Sequence, residues 1–135
     1  MKQPIQAFNK THLRINMTIT LYGIPNCDTM KKARKWLEQA GVAYQFHDYR
    51  KEGITPELVA GFCSQLGWEQ VLNKRGTTFR QLSDEQKATL NADNAVALLV
   101  EHPAMIKRPI LQRQDELHLG FSDAQYRALF LKRFD

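Results

Sequence analysis

The chain has 135 residues, 43% of them hydrophobic and 24% charged, with a formal net charge of +5. That length suits one domain with a real core, and that balance suits an ordinary soluble globular fold rather than a disordered or fibrous one. No apolar run approaches the roughly 20 residues of a membrane span, so no membrane partner is expected.

Residues 1–16 read as an extension ahead of the domain, either disordered or lying before the natural start, with Met17 as a candidate first residue. They lack the apolar stretch and small-residue cleavage site of a secretory signal. They carry Lys2, Lys10 and Arg14 and no acid, and without them the net charge falls to +2. The basic balance is therefore partly a property of the extension. The other lysines and arginines are scattered without aromatic interleaving, so direct nucleic-acid binding is not expected. Residues 17–135 read as a single domain.

Met17, Ile19 and Leu21 alternate with Thr18, Thr20 and Tyr22, the period of a half-buried strand. Gly23, Pro25 and Asn26 follow as turn residues, and Cys27 comes next. Asp28 and Thr29 are helix-capping types; Ala33, Trp36, Leu37 and Ala40 fall at helical spacing, and Gly41 is a natural stop. Residues 44–49 read as a second strand. Thr55 and Pro56 open the next helix, whose apolar face holds Leu58, Val59, Phe62, Cys63 and Leu66. Cys63 on that face reads as a core thiol rather than a resolving one. Ser83-Asp84-Glu85-Gln86 is a capping-box pattern, and residues 94–100 are an apolar helical stretch ended by His102-Pro103. Residues 105–112 and 117–121 read as a hairpin turning near Gln114-Asp115. Ser122-Asp123-Ala124-Gln125 is a second capping box, opening a helix that contains Tyr126, Leu129 and Phe130. A βαβ unit and a ββα unit, with a helical insertion at about 54–102, predict an α/β thioredoxin-like (glutaredoxin-like) fold. Its four-stranded mixed sheet would carry helices on both faces.

The candidate chemistry centres on Cys27. A thiol at the junction of a strand and a helix N-terminus meets free N–H groups and about half a positive charge. Such positions lower a cysteine pKa from about 8.5 into roughly the 3.5–7.5 range, and the thiolate is the nucleophile. Lys31, Lys32, Arg34 and Lys35 in the early turns are expected to assist, and Asp28 to oppose. Arg75 and Arg108 are candidate anion binders, because a guanidinium binds carboxylates and oxyanions bidentately. Taken singly, each reads first as a solvated surface arginine. His47 reads as a strand residue, and His102 as a cap on the last carbonyls of a helix. Two cysteines suggest neither a disulfide framework nor a zinc site, so a reducing, cytoplasmic setting is inferred and no metal is expected.

Three stretches together carry a resemblance: Tyr22-Gly23-Ile24-Pro25-Asn26-Cys27, Lys74-Arg75-Gly76-Thr77-Thr78-Phe79, and His102-Pro103 through Lys107-Arg108-Pro109-Ile110. From about Met17 to Leu131 the sequence resembles the glutaredoxin-coupled arsenate reductase family, which also contains the Spx-type regulators. It is most similar to the small bacterial YffB-type branch. The resemblance implies a thioredoxin-like fold with a helical insertion, a catalytic Cys27, pocket arginines at Arg75 and Arg108, and a cis bond before Pro109. It implies a glutathione-dependent thiol or oxyanion reductase, with glutathione as co-substrate rather than bound cofactor and glutaredoxin as a further candidate partner. Asn26 and the backbone N–H groups after Cys27 would donate to developing negative charge. Two departures bear on substrate. Gly120, with His118 nearby, stands where arsenate reductases carry a third arginine. Met30 fills the slot, three positions after Cys27, that holds a second cysteine in the redox-sensing regulators. The alternatives are a true arsenate reductase and a non-catalytic Spx-like protein that contacts RNA polymerase.

Overall fold

The computed structural model describes residues 18–131, so the 1–16 extension and Met17 lie outside the described residues. Strand β1 (Ile19–Gly23) leads into helix α1 (Asp28–Gln39), then β2 (Gln45–Asp48) and a short α2 (Tyr49–Glu52). Helices α3 (Pro56–Leu66), α4 (Trp68–Val71), α5 (Thr77–Arg80), α6 (Asp84–Ala88) and α7 (Ala92–Glu101) follow. A 3-10 turn (Pro103–Met105), strands β3 (Ile110–Arg113) and β4 (Glu116–Leu119), and helix α8 (Asp123–Phe130) complete the order.

The four strands form one sheet in the order β2–β1–β3–β4. β1 runs parallel to β2, with Thr20 opposite Gln45, and antiparallel to β3, with Leu21 opposite Leu111; β3 and β4 are antiparallel. This is the mixed sheet of a thioredoxin-like fold. The period-2 pattern of β1 decides which core each residue enters. Ile19 and Leu21 join Met30, Ala33, Leu37, Leu111 and Tyr126, a cluster supplied by the sheet, α1 and α8. Tyr22 turns to the other face and joins Val59, Phe62, Val71, Leu99 and Ile110, contributed largely by the helices between β2 and β3.

The expected caps form in part. Thr55 Oγ1 accepts from the Leu58 N–H at 3.1 Å. Ser83 and Gln86 make a reciprocal capping box, with both bonds at 3.0 Å. Ser122 caps α8 by accepting from the Gln125 N–H, but Gln125 does not reciprocate; its side-chain amide donates to the Leu119 carbonyl instead, tying α8 to the end of β4. Asn91, unremarked in the sequence, makes a full capping box with Asn94 at the start of α7.

Residues 105–112 do not form one strand. Only Ile110 onward pairs in the sheet, because the preceding backbone is committed elsewhere. The Asn73 N–H donates to the Met105 carbonyl and the Lys107 N–H to the Val71 carbonyl, both at 2.7 Å. An isolated bridge joins Leu72 to Ile106. Pro109 has no N–H to offer a ladder, and its bond to Arg108 is cis. These two backbone bonds hold the loop after α4 against the segment leading into β3.

Candidate active site

Cys27 is itself the N-cap of α1, in extended geometry with φ −147° and ψ 130°. Asp28 and Thr29, the residue types expected to cap, fall inside the first turn instead. The Cys27 N–H donates to the Pro25 carbonyl and its carbonyl accepts from the Lys31 N–H, each at 3.0 Å. The turn and the first helical turn thus fix the sulfur from both sides. Burial pushes the thiol pKa up. The N–H groups of Met30 and Thr29, followed by the Arg108 guanidinium, outweigh that burial and leave the pKa below its ordinary value. The two N–H groups face the sulfur without closing to full hydrogen bonds.

Arg108, rather than the lysines of α1, supplies the cationic share of that depression. The expected help from the early-turn cations is not what the geometry provides. Arg34, for example, donates to the Tyr44 hydroxyl at 3.2 Å and lies 4.4 Å from the Phe46 ring centroid, facing β2. Arg108 is held by its own loop: its Nη1 donates to the carbonyls of Ala104, at 3.0 Å, and Ile106, at 3.2 Å. Its Nε is buried without a partner. An arginine splinted in this way loses little further freedom when it meets an anion.

Met30 explains the close passage of α1 over β1. Its side chain is fully buried, and a Cβ at Gly23 would stand 2.8 Å from its Cε and closer still to its Sδ. Glycine at the end of β1 is therefore the counterpart of methionine in the first turn of α1.

Cys27 and Arg108 open onto a cavity of about 640 Å³. Arg75 and Lys74 reach it from the loop after α4, Lys107 from the segment before β3, and Leu119 and Gly120 from the end of β4. The structure thus brings Cys27, Arg75 and Arg108 to one site. Asn26 is exposed and does not line it. Sequence reading had no local signal for Glu69 or Asn73, which also line the cavity, and left Lys74 and Lys107 unremarked beside their arginine neighbours.

A model of the ArsC family matches residues 22–129. The chain belongs to the ArsC family. An uncharacterized protein of Haemophilus influenzae is 41% identical over 112 residues, covering 83% of this chain and 98% of its own length. A solved structure described as YffB is 49% identical with a TM-score of 0.79, covering 82% of this chain and 97% of its own. An arsenate reductase (ArsC) related protein of Brucella melitensis is also 49% identical, with a TM-score of 0.71, and covers 86% of this chain and 97% of its own. The global transcriptional regulator Spx of Streptococcus pyogenes is 28% identical over 117 residues, covering 85% of this chain and 86% of its own length.

Within this ArsC-family chain the departures noted in the sequence take physical form. Gly120 lies on the cavity wall with φ +82°, and a Cβ there would meet nothing within 4 Å, so that part of the wall is open. Met30 is core, with no thiol to offer Cys27. Cys63 packs half-buried beside the core on α3, burial pushes its thiol pKa up, and it does not line the cavity. His47 lies 2.9 Å from the Gly53 carbonyl, and its ring is tilted 45° to that of Tyr22 at 5.0 Å between centroids. The His102 side chain lies 3.9 Å from Glu101, and it is the backbone N–H of His102 that meets the helix carbonyl of Leu98. Neither histidine lines the cavity with Cys27. Among the described residues no group of three or more His, Cys, Asp or Glu side chains could hold a metal, and no helix is long and apolar enough to cross a membrane.

Proposed function

We propose that the chain is a single-cysteine reductase acting on glutathionyl disulfides or oxyanions, with glutathione as co-substrate. The observation that carries the reading is Cys27 at a helix N-cap, its pKa lowered by two amides and Arg108, on the wall of a cationic cavity. On a mixed disulfide, the Cys27 thiolate attacks the glutathione-side sulfur. A Cys27–glutathione disulfide forms, and the other sulfur leaves as a thiolate that takes a proton from solvent. A second glutathione thiolate then attacks the bound glutathionyl sulfur, releasing oxidised glutathione and restoring Cys27. The second thiol must come from outside, because neither Met30 nor Cys63 supplies one at the site. Arg75 and Arg108 hold carboxylates or oxyanion oxygens, and the N–H groups of Thr29 and Met30 face the reacting sulfur. Glutaredoxin could stand in for the second glutathione, and the chemistry suits a reducing cytoplasm.

Cys27→Ser should abolish thiol-dependent turnover and leave the fold intact; undiminished turnover in that variant would refute the assignment. Arsenate is the weaker substrate on this reading, since the open wall at Gly120 adds no third guanidinium. A second reading follows from the Spx relatives: a protein-binding regulator that contacts RNA polymerase. Recovery of polymerase subunits with the purified chain, together with no thiol turnover, would favour it.

A further inference from the structure

Glu69 sits apart from everything the reductase reading uses. It is exposed at the start of α4, lines the same cavity as Cys27, and is the one acid among that cavity's lining residues. Lys74, Arg75, Lys107 and Arg108 share the lining with it, yet no ion pair forms between Glu69 and any of them. For a bare oxyanion this carboxylate is a defect, because it repels the ligand and offsets one of four cations. The volume is also excessive for an oxyanion: about 640 Å³ falls within the roughly 300–1,000 Å³ of pockets that enclose whole organic ligands.

Both oddities resolve for one ligand class. A γ-glutamyl tripeptide thiol carries two carboxylates, one ammonium and a sulfur. Four cations, one acid and a thiolate form the complementary set. We propose that Glu69 is a specificity residue that accepts a charge-assisted hydrogen bond from the ligand's α-ammonium. The cations then take the carboxylates, and Cys27 takes the sulfur. The inference rests on the reductase reading and narrows it: the cavity selects the glutathionyl half of a substrate and leaves the other half to solvent.

Simple Coulomb attraction predicts the opposite sign, which makes the test sharp. Calorimetric titrations would use the full chain with S-methylglutathione, which cannot react, and with its N-acetyl derivative, which has lost the ammonium and gained net negative charge. Acetylation should weaken binding to the native chain about tenfold, despite the added negative charge. E69Q should bind S-methylglutathione about tenfold more weakly, despite the more cationic cavity, and should no longer distinguish it from the acetylated form. If E69Q binds S-methylglutathione as tightly as the native chain or more so, or if acetylation costs nothing, the inference is overturned. Mass spectrometry after exposure to oxidised glutathione separates the two levels. A Cys27 adduct together with indifference to Glu69 removes only the ammonium assignment. Neither an adduct nor S-methylglutathione binding removes the reductase reading and this inference with it.

Discussion

Replacing Arg108 tests the link between the loop before β3 and the sulfur. In Arg108→Met the thiolate loses the guanidinium charge that favours it, an interaction between partly exposed groups worth up to about 1 kcal/mol. Its loss moves the Cys27 pKa up toward the ordinary thiol value. The sulfur is half-exposed, so solvent screens part of the interaction, and the N–H groups of Met30 and Thr29, which contribute more, remain in place. Only part of the depression is therefore expected to be lost. Two effects then oppose each other near neutral pH. The thiolate fraction falls by up to about fivefold, the equivalent of about 1 kcal/mol. Each thiolate becomes about twofold more nucleophilic, because reactivity rises with basicity at a slope of about 0.4–0.5. The net expectation is alkylation about two- to threefold slower at neutral pH and faster at a pH well above both pKa values.

Iodoacetamide alkylation followed across pH reads both effects, as an inflection and as a plateau. Arg108→Lys should fall between the native chain and Arg108→Met, since it keeps a charge but not the fork that spans Ala104 and Ile106. Arg108→Met should also lower the melting temperature, because two carbonyls lose a donor worth about 1 kcal/mol each. An inflection that stays in place in Arg108→Met, in protein still folded at the assay temperature, would refute the proposed origin of the depressed pKa.

Three further outcomes are expected. The folded state holds the Cys27 pKa below its unfolded value of about 8.5, so the fold releases a proton earlier than the unfolded chain does. This contribution is absent below the folded pKa, grows as pH rises toward the unfolded value, and is complete above it. Melting curves should show the native chain gaining stability on Cys27→Ser over that window; parallel curves would remove the linkage. Gly23→Ala should cost about 1–3 kcal/mol in urea unfolding, because the fully buried Met30 has nowhere to swing; a neutral result would mean the turn between β1 and α1 yields more easily than its packing implies. Asn91→Ala should cost about 1 kcal/mol, since Asn91 Oδ1 accepts from both the Asp93 and Asn94 N–H groups at 2.8 and 2.9 Å; a loss of that size should appear in thermal unfolding without any change in Cys27 alkylation.

The sequence made β1 and α1 legible because two periods meet there: Ile19 and Leu21 at spacing two, Ala33 and Leu37 at spacing four. The same logic misjudged the cap. Asp28 and Thr29 are better capping types than cysteine, but Asp28 instead takes a place in the first helical turn, where a carboxylate suits the helix dipole, and Cys27 keeps the boundary. Periodicity could not have found Glu69, which is exposed and belongs to no apolar stripe, or the meeting of Cys27 and Arg108 on one cavity, since the two are far apart in sequence. The segment at 105–109 misled for a related reason. Its apolar residues do enter the core, as Met105 and Ile106 show, but its backbone bonds go to residues 71–73 rather than to a strand. Burial leaves a periodic trace in sequence, whereas an irregular loop satisfies its N–H and C=O groups against whatever the fold brings near. The bonds from Asn73 to Met105 and from Lys107 to Val71 have no local signature, yet each lies within two residues of one of the two cavity arginines, Arg75 and Arg108. The placement of the anion-binding side chains is therefore set by backbone pairing between two loops. Weakening that bridge should disturb the site before it disturbs the sheet.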